Sequence, residues 1–177
     1  MIRRSFLAFN VFGLIVLLIP TSACTETSGF SITCKFIFNK SADIYVRIVN
    51  QEQFDKRKGS ICEAKVTIRE DRAMWEIEPG KDSICDSQIV DREGQAKKKQ
   101  ITIKFDNIPQ GRYGILCYQN VSKKNGNKKG PDTNFIGLPI EPWGVSNNAR
   151  PFFSTPKFDG IAFDVNKNIP DMEIEIK

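Results

Sequence analysis

Four kinds of side chain in this sequence could carry chemistry: paired carboxylates, cysteines, a run of asparagines, and a tryptophan set among prolines. Histidine is absent from all 177 residues. That removes imidazole-activated serine or cysteine nucleophiles and His-ligated zinc. Carboxylates are the remaining acid/base groups. Glu76 and Glu78 are spaced i, i+2, as are Glu173 and Glu175. A glycan hydrolase needs two carboxyl groups at a set separation across a cleft. Acids at i, i+2 on a strand share one face instead, and a solvent-facing role is the simpler expectation. A carboxylate-dependent envelope hydrolase therefore stands as the alternative reading. The residues imply no cofactor and no metal.

The stretch Glu141 to Asn148 carries two roles. As a site, Trp143 is a stacking platform, with Glu141, Asn147 and Asn148 bonding a sugar or peptide. As structure, Pro139 and Pro142 stiffen the loop, Gly144 turns it, and Trp143 plugs a sandwich edge. The structural role is favoured, because a long loop on a small sandwich needs an apolar plug and internal hydrogen bonds.

Five cysteines are present. Cys24 closes a stretch with the features of an export leader. Arg3 and Arg4 are its positive start, Phe6 to Ile19 its apolar run, and Thr21-Ser22-Ala23 its small-residue site. The run of about 14 residues is short against the roughly 20 of a spanning helix. Cysteine directly after such a site resembles a bacterial lipoprotein signal, with Cys24 as the acylated residue. Thr21 stands where leucine is usual, and ordinary cleavage after Ala23 is the other reading. Cys34, Cys62, Cys85 and Cys117 remain, an even number with three connectivities. The expected pairs are Cys62–Cys85 within one insert and Cys34–Cys117 between strands.

The elements that position these residues alternate with period two. Phe30 to Phe38, Ile101 to Phe105 and Met172 to Lys177 alternate apolar and polar side chains. Ile44 to Val49, Ala64 to Ile68, Ala73 to Ile77, Tyr113 to Tyr118 and Ile161 to Val165 read as further strands. No segment after residue 24 carries a helical period. The fold class is all-β, an antiparallel β-sandwich of about eight strands. The chain divides into a leader (1–23), a tether (24–29) and a sandwich (30–177), with an insert near 55–97 and a long loop over 119–156. Without Arg3 and Arg4, 24 basic residues face 21 acidic ones, a net +3. That is too mild for a nucleic-acid partner. The lysine runs at 97–99, 123–124 and 128–129 read as solvated loops, with anionic lipid or polysaccharide as the other reading.

Ile108-Pro109-Gln110-Gly111-Arg112-Tyr113-Gly114-Ile115 and Gly137-Leu138-Pro139-Ile140-Glu141-Pro142-Trp143-Gly144-Val145-Ser146-Asn147-Asn148-Ala149 resemble motifs of the exported bacterial family called domain of unknown function 2141. The resemblance covers most of the chain outside the insert. It implies an immunoglobulin-like or transthyretin-like sandwich and no established activity. The family's His-Asp pair is here Tyr118-Gln119. Its oxygen-rich loop resembles a calcium loop, but Asn120, Asn125, Asn127, Asp132 and Asn134 supply one charge, beside four lysines. Turn-forming by Asn and Gly is the favoured role.

The expectation from sequence is a non-catalytic envelope protein, lipid-anchored at Cys24, with a binding or structural role. Its partners would be the membrane, through the lipid, and an envelope protein or polysaccharide. A secreted carbohydrate-binding module is the untethered version.

Overall fold

The computed structural model describes residues 29–69, 74–90, 99–121, 131–134, 139–151 and 154–177. Cys24, Asn125, Asn127 and the leader lie outside these residues.

Alternation places one face of each long strand in the core. In β1 (Phe30–Phe38), Ile32, Cys34, Phe36 and Phe38 are buried. In β6 (Gln100–Ile108), Ile101, Ile103 and Phe105 are buried. Register brings these sets together: Cys34 faces Ile103 and Phe36 faces Ile101. Sheet I runs β10-β1-β6-β5, with β5 at Asp86–Ile89 and β10 at Ile169–Ile176. The other sheet, sheet II, runs β4-β3-β2-β7-β8, with β9 (Phe163–Val165) pairing with the start of β7. Its strands are β2 (Asp43–Val49), β3 (Cys62–Arg69), β4 (Met74–Pro79), β7 (Gly111–Asn120) and β8 (Trp143–Val145). The core-facing residues Ile44, Val46 and Ile48 of β2 stand beside Val66, Ala64 and Cys62 of β3. Each fully buried Ile or Phe contributes about 1.5–3 kcal/mol of apolar transfer.

All eight expected strand regions contribute strands, and β5 and β8 are additional. Three details differ from expectation. β1 and β10 are parallel, which a long crossover allows because they are the first and last strands. Ile161 belongs to a short helix, α2 (Phe158–Ile161), not to β9. A second short helix, α1 (Gln51–Asp55), is set by a capping box: the Asn50 side chain accepts from Gln53 N–H, and the Gln53 side chain accepts from Asn50 N–H. The residues read as an insert supply β3, β4 and β5, which join both sheets.

Cys62 and Cys85 form a disulfide with Cα atoms 5.6 Å apart. It ties the start of β3 in sheet II to the residue before β5 in sheet I. The expected Cys34–Cys117 bridge is absent: both are buried free thiols. A disulfide needs Cα atoms about 4.4–6.8 Å apart, whereas packed sheets lie about 10 Å apart. Cys34 and Cys117 occupy core-facing positions on opposite sheets, and Cys117 donates instead to Gly144 O at 3.2 Å within its own sheet. Burial pushes both thiols well above the ordinary range, with their mutual repulsion adding to the effect on Cys34.

Candidate functional site

The face of sheet II that points away from the core is not simply polar. The β2 residues Tyr45 and Arg47 stand opposite Tyr118 and Leu116 of β7, and these stand opposite Trp143 and Val145 of β8. Two rows result, Tyr45–Tyr118–Trp143 and Arg47–Leu116–Val145. The first two tyrosine rings stack with centroids 4.9 Å apart and planes 7° from parallel. A second apolar cluster forms over the other row: Val145, Phe158 and Ile161 are buried, with Phe54, Leu116 and Trp143 packed against them. Gly114 lets α2 sit this close, since a Cβ there would lie 2.7 Å from the Ile161 side chain.

Between the cluster and the aromatic row lies a cavity of about 300 Å³. Its walls come from Arg47 and Val49 of β2, Gln53 and Phe54 of α1, and Leu116, Cys117 and Tyr118 of β7. Trp143 and Val145 of β8 complete the floor, and Pro131, Pro139, Arg57 and 154–156 form the rim. Among the described lining residues, the charged ones are Arg47 and Arg57. The Arg47 guanidinium donates through Nη2 to Gly59 O. Its Nε is buried and has no hydrogen-bond partner. Burial first, then the neighbouring Tyr45, Glu141 and Glu63, pushes the Tyr118 phenol up. Tyr118 therefore stays protonated. Arg150 stands 4.9 Å over the Trp143 ring, a cation–π contact.

The other sequence-selected residues are drawn into holding the fold. Glu141 is buried, and its carboxylate accepts from Val121 N–H at 3.0 Å and from Asp132 N–H at 3.0 Å. It thereby joins Val121, the residue after β7, to Asp132. Ser146 accepts from Ile115 N–H at 2.9 Å and donates to Ile161 O. Asn147 donates to Ala162 O at 3.1 Å. Asn148 donates to Glu173 O at 3.1 Å and accepts from Glu175 N–H at 2.8 Å, as a strand residue would. Asn147 and Asn148 adopt positive φ angles of 60° and 49°, which asparagine tolerates well. The Ser-Asn-Asn turn is thus a three-way latch onto β7, α2 and β10. Asn120 ends β7, and Asp132 and Asn134 lie in the described part of the long loop.

Tyr118 and Trp143 are thus the expected ligand residues that the structure brings to the cavity. Arg47, Phe54 and Arg57 were not singled out from sequence. A signal exists for the face, though not for its lining: Tyr113 to Tyr118 runs apolar on both strand faces, which solvent exposure alone does not require. The carboxylate pairs lie elsewhere. Glu76 and Glu78 are exposed on β4, and Glu173 and Glu175 lie on β10, with Lys35 3.0 Å from Glu173.

No curated protein and no solved structure matches the chain. A family model does, over residues 32–172, so that it spans most of the sandwich, including the segment first read as an insert. The chain belongs to the family described as "Uncharacterized protein conserved in bacteria (DUF2141)".

Proposed function

We propose that the protein is a non-catalytic binding module of the bacterial cell envelope, lipid-anchored through Cys24, that captures a small ligand over sheet II. The cavity walled by Phe54, Tyr118 and Trp143 carries this reading. Concave sites lined by aromatics with a few convergent polar groups are the usual form of ligand pockets. The lining favours binding over catalysis. Cys117 is kept as a thiol by burial and donates to Gly144 O, so it is a poor nucleophile. The carboxylate pairs stand outside the described lining. Envelope placement is supported by the leader pattern ending at Cys24 and by the Cys62–Cys85 disulfide, which suits an oxidising compartment. Partners are the membrane, through the lipid, and an envelope polysaccharide or protein at the cavity.

The test has two arms. Intact mass of the protein from its native membranes should show an acylated N-terminal Cys24, and the protein should enter the detergent phase. An unmodified chain in the aqueous phase reduces the proposal to a secreted module. In the second arm, a panel of envelope glycans and peptides is titrated onto the protein. At least one should perturb the cavity, and Leu116→Arg, which fills it, should abolish that response. Turnover of a panel member, lost in Glu76→Ala or Glu173→Ala, would establish the hydrolase alternative.

A further inference from the structure

We propose that the cavity over sheet II receives an acidic sugar unit, a pyranose ring bearing a carboxylate, with Arg47 as the residue that reads the carboxylate. This rests on the cavity being the protein's ligand site. The charge of the lining favours an anion. Arg47 and Arg57 are the charged groups among the described lining residues, and Arg150, outside that lining, stands over the Trp143 ring. Glu63, the cross-strand neighbour of Arg47, and Glu141 both bear on Tyr118 but do not line the cavity; Glu63 engages Ser60 at 3.4 Å, and Glu141 engages the N–H groups of Val121 and Asp132. A cluster of cations lining a cleft draws an anion.

Arg47 itself is partly unsatisfied. Its Nη2 is fixed on Gly59 O, yet its buried Nε–H has no acceptor. A buried donor left unpaired is costly, and a carboxylate oxygen arriving at that edge would satisfy it. The fixed Nη2 holds the planar guanidinium in place, so little side-chain entropy is lost on binding.

The walls divide into aromatic and polar parts. Phe54, Tyr118 and Trp143 are aromatic. Gln53, Ser154 and Thr155 are polar, and Gln53, whose Oε1 accepts from Asn50 N–H, keeps its Nε2 to donate. A pyranose matches both, with an apolar C–H face and a rim of hydroxyls. The volume of about 300 Å³ lies at the small end of ligand pockets, roughly 300–1,000 Å³. That suits one ring, such as the end or a single residue of an acidic polysaccharide.

The probes are D-glucuronate, D-glucose and benzoate, titrated onto the protein expressed from its full 177-residue chain and followed by amide and indole NMR shifts. Glucuronate should shift Arg47, Tyr118 and Trp143, with glucose binding at least tenfold more weakly. Arg47→Gln should lower glucuronate affinity at least tenfold. Arg57→Gln, on the exposed turn after α1, should lower it in the same direction without touching a strand. Glucose binding as tightly as glucuronate, or folded Arg47→Gln protein retaining full affinity, overturns the acidic-sugar assignment and leaves the cavity as a ligand site. Benzoate binding while glucuronate is silent overturns the sugar and retains the carboxylate site. Silence of all three overturns the assignment, and the Leu116→Arg arm of the panel titration then decides whether the cavity reading falls with it.

Discussion

At the scale of single residues, the polar groups that stand out in the sequence divide by what they bond. Glu141, Asn147 and Asn148 are chemically capable of holding a ligand, but their partners are backbone groups of this chain. The sequence shows the residue types but not these partners, because the partners lie between 9 and 27 positions away. Glu141→Ala leaves the N–H groups of Val121 and Asp132 without their acceptor. It should cost about 3 kcal/mol in urea unfolding, given about 1.5–3 kcal/mol for each bond to a charged group and partial rescue by water. Glu141→Gln should recover part of that, and an unchanged midpoint in Glu141→Ala would contradict the tie. The two buried thiols make a pH prediction. Folded, both stay protonated well above the ordinary thiol range; unfolded, they ionise near ~8.5. Above that pH the unfolded chain releases protons that the folded chain keeps. Stability is therefore full below about pH 8.5 and falls as pH rises, by about 1.4 kcal/mol per pH unit for each thiol. Unfolding midpoints measured across pH 7.5–10 should show this slope, and Cys34→Ala should reduce it. A flat profile would contradict the burial of neutral thiols.

At the scale of elements, alternation made most strands legible. Ile32, Cys34, Phe36 and Phe38 alternate as cleanly in the structure as in the sequence. Elements with few residues were not legible. β5 and β8 have four and three residues, too few for a period to show, and α1 is set by its capping box rather than by an apolar face. The parallel β1–β10 pair was also hidden, since strand direction leaves no mark on alternation. At the β8 edge the two sheets meet: Trp143 and Lys177 exchange backbone hydrogen bonds of 3.1 and 3.2 Å. A Cβ on Gly144 would lie 2.4 Å from Glu175 O. Gly144→Ala should therefore pry β8 from β10 and cost more than ~2 kcal/mol, within the usual range for overpacking; thermal unfolding measures it, and a neutral substitution would contradict the seam. The Cys62–Cys85 pairing was legible because both residues fall within one short segment, 23 positions apart. Removing it by Cys62→Ala and Cys85→Ala together should cost about 3 kcal/mol, the chain-entropy value for a loop of that length. Urea unfolding under oxidising conditions checks this, and equal stability of the two proteins would contradict it.

At the scale of the whole molecule, the sandwich uses its two sheets differently. The inward faces make one core of buried Ile, Val and Phe. Sheet II also builds on its outward face, where α2 packs over Val145 and where α1, Pro131, Pro139 and residues 154–156 wall a cavity floored by β2, β7 and β8. That second layer was only faintly legible. The apolar run Tyr113 to Tyr118 marks a strand covered on both sides, but the residues that cover it come from three separate stretches of chain. Arg47 looks in sequence like any solvent-facing strand residue, and only its place opposite Leu116 puts it at the cavity. On the reading proposed above, this outward face of sheet II is where the molecule meets its ligand. Amide and indole NMR shifts of the protein, recorded while the panel of envelope glycans and peptides is added, test it most directly. Shifts centred on Arg47, Leu116, Tyr118 and Trp143 are expected. Shifts centred instead on sheet I or on the β4 edge, or none with any member of the panel, would contradict it.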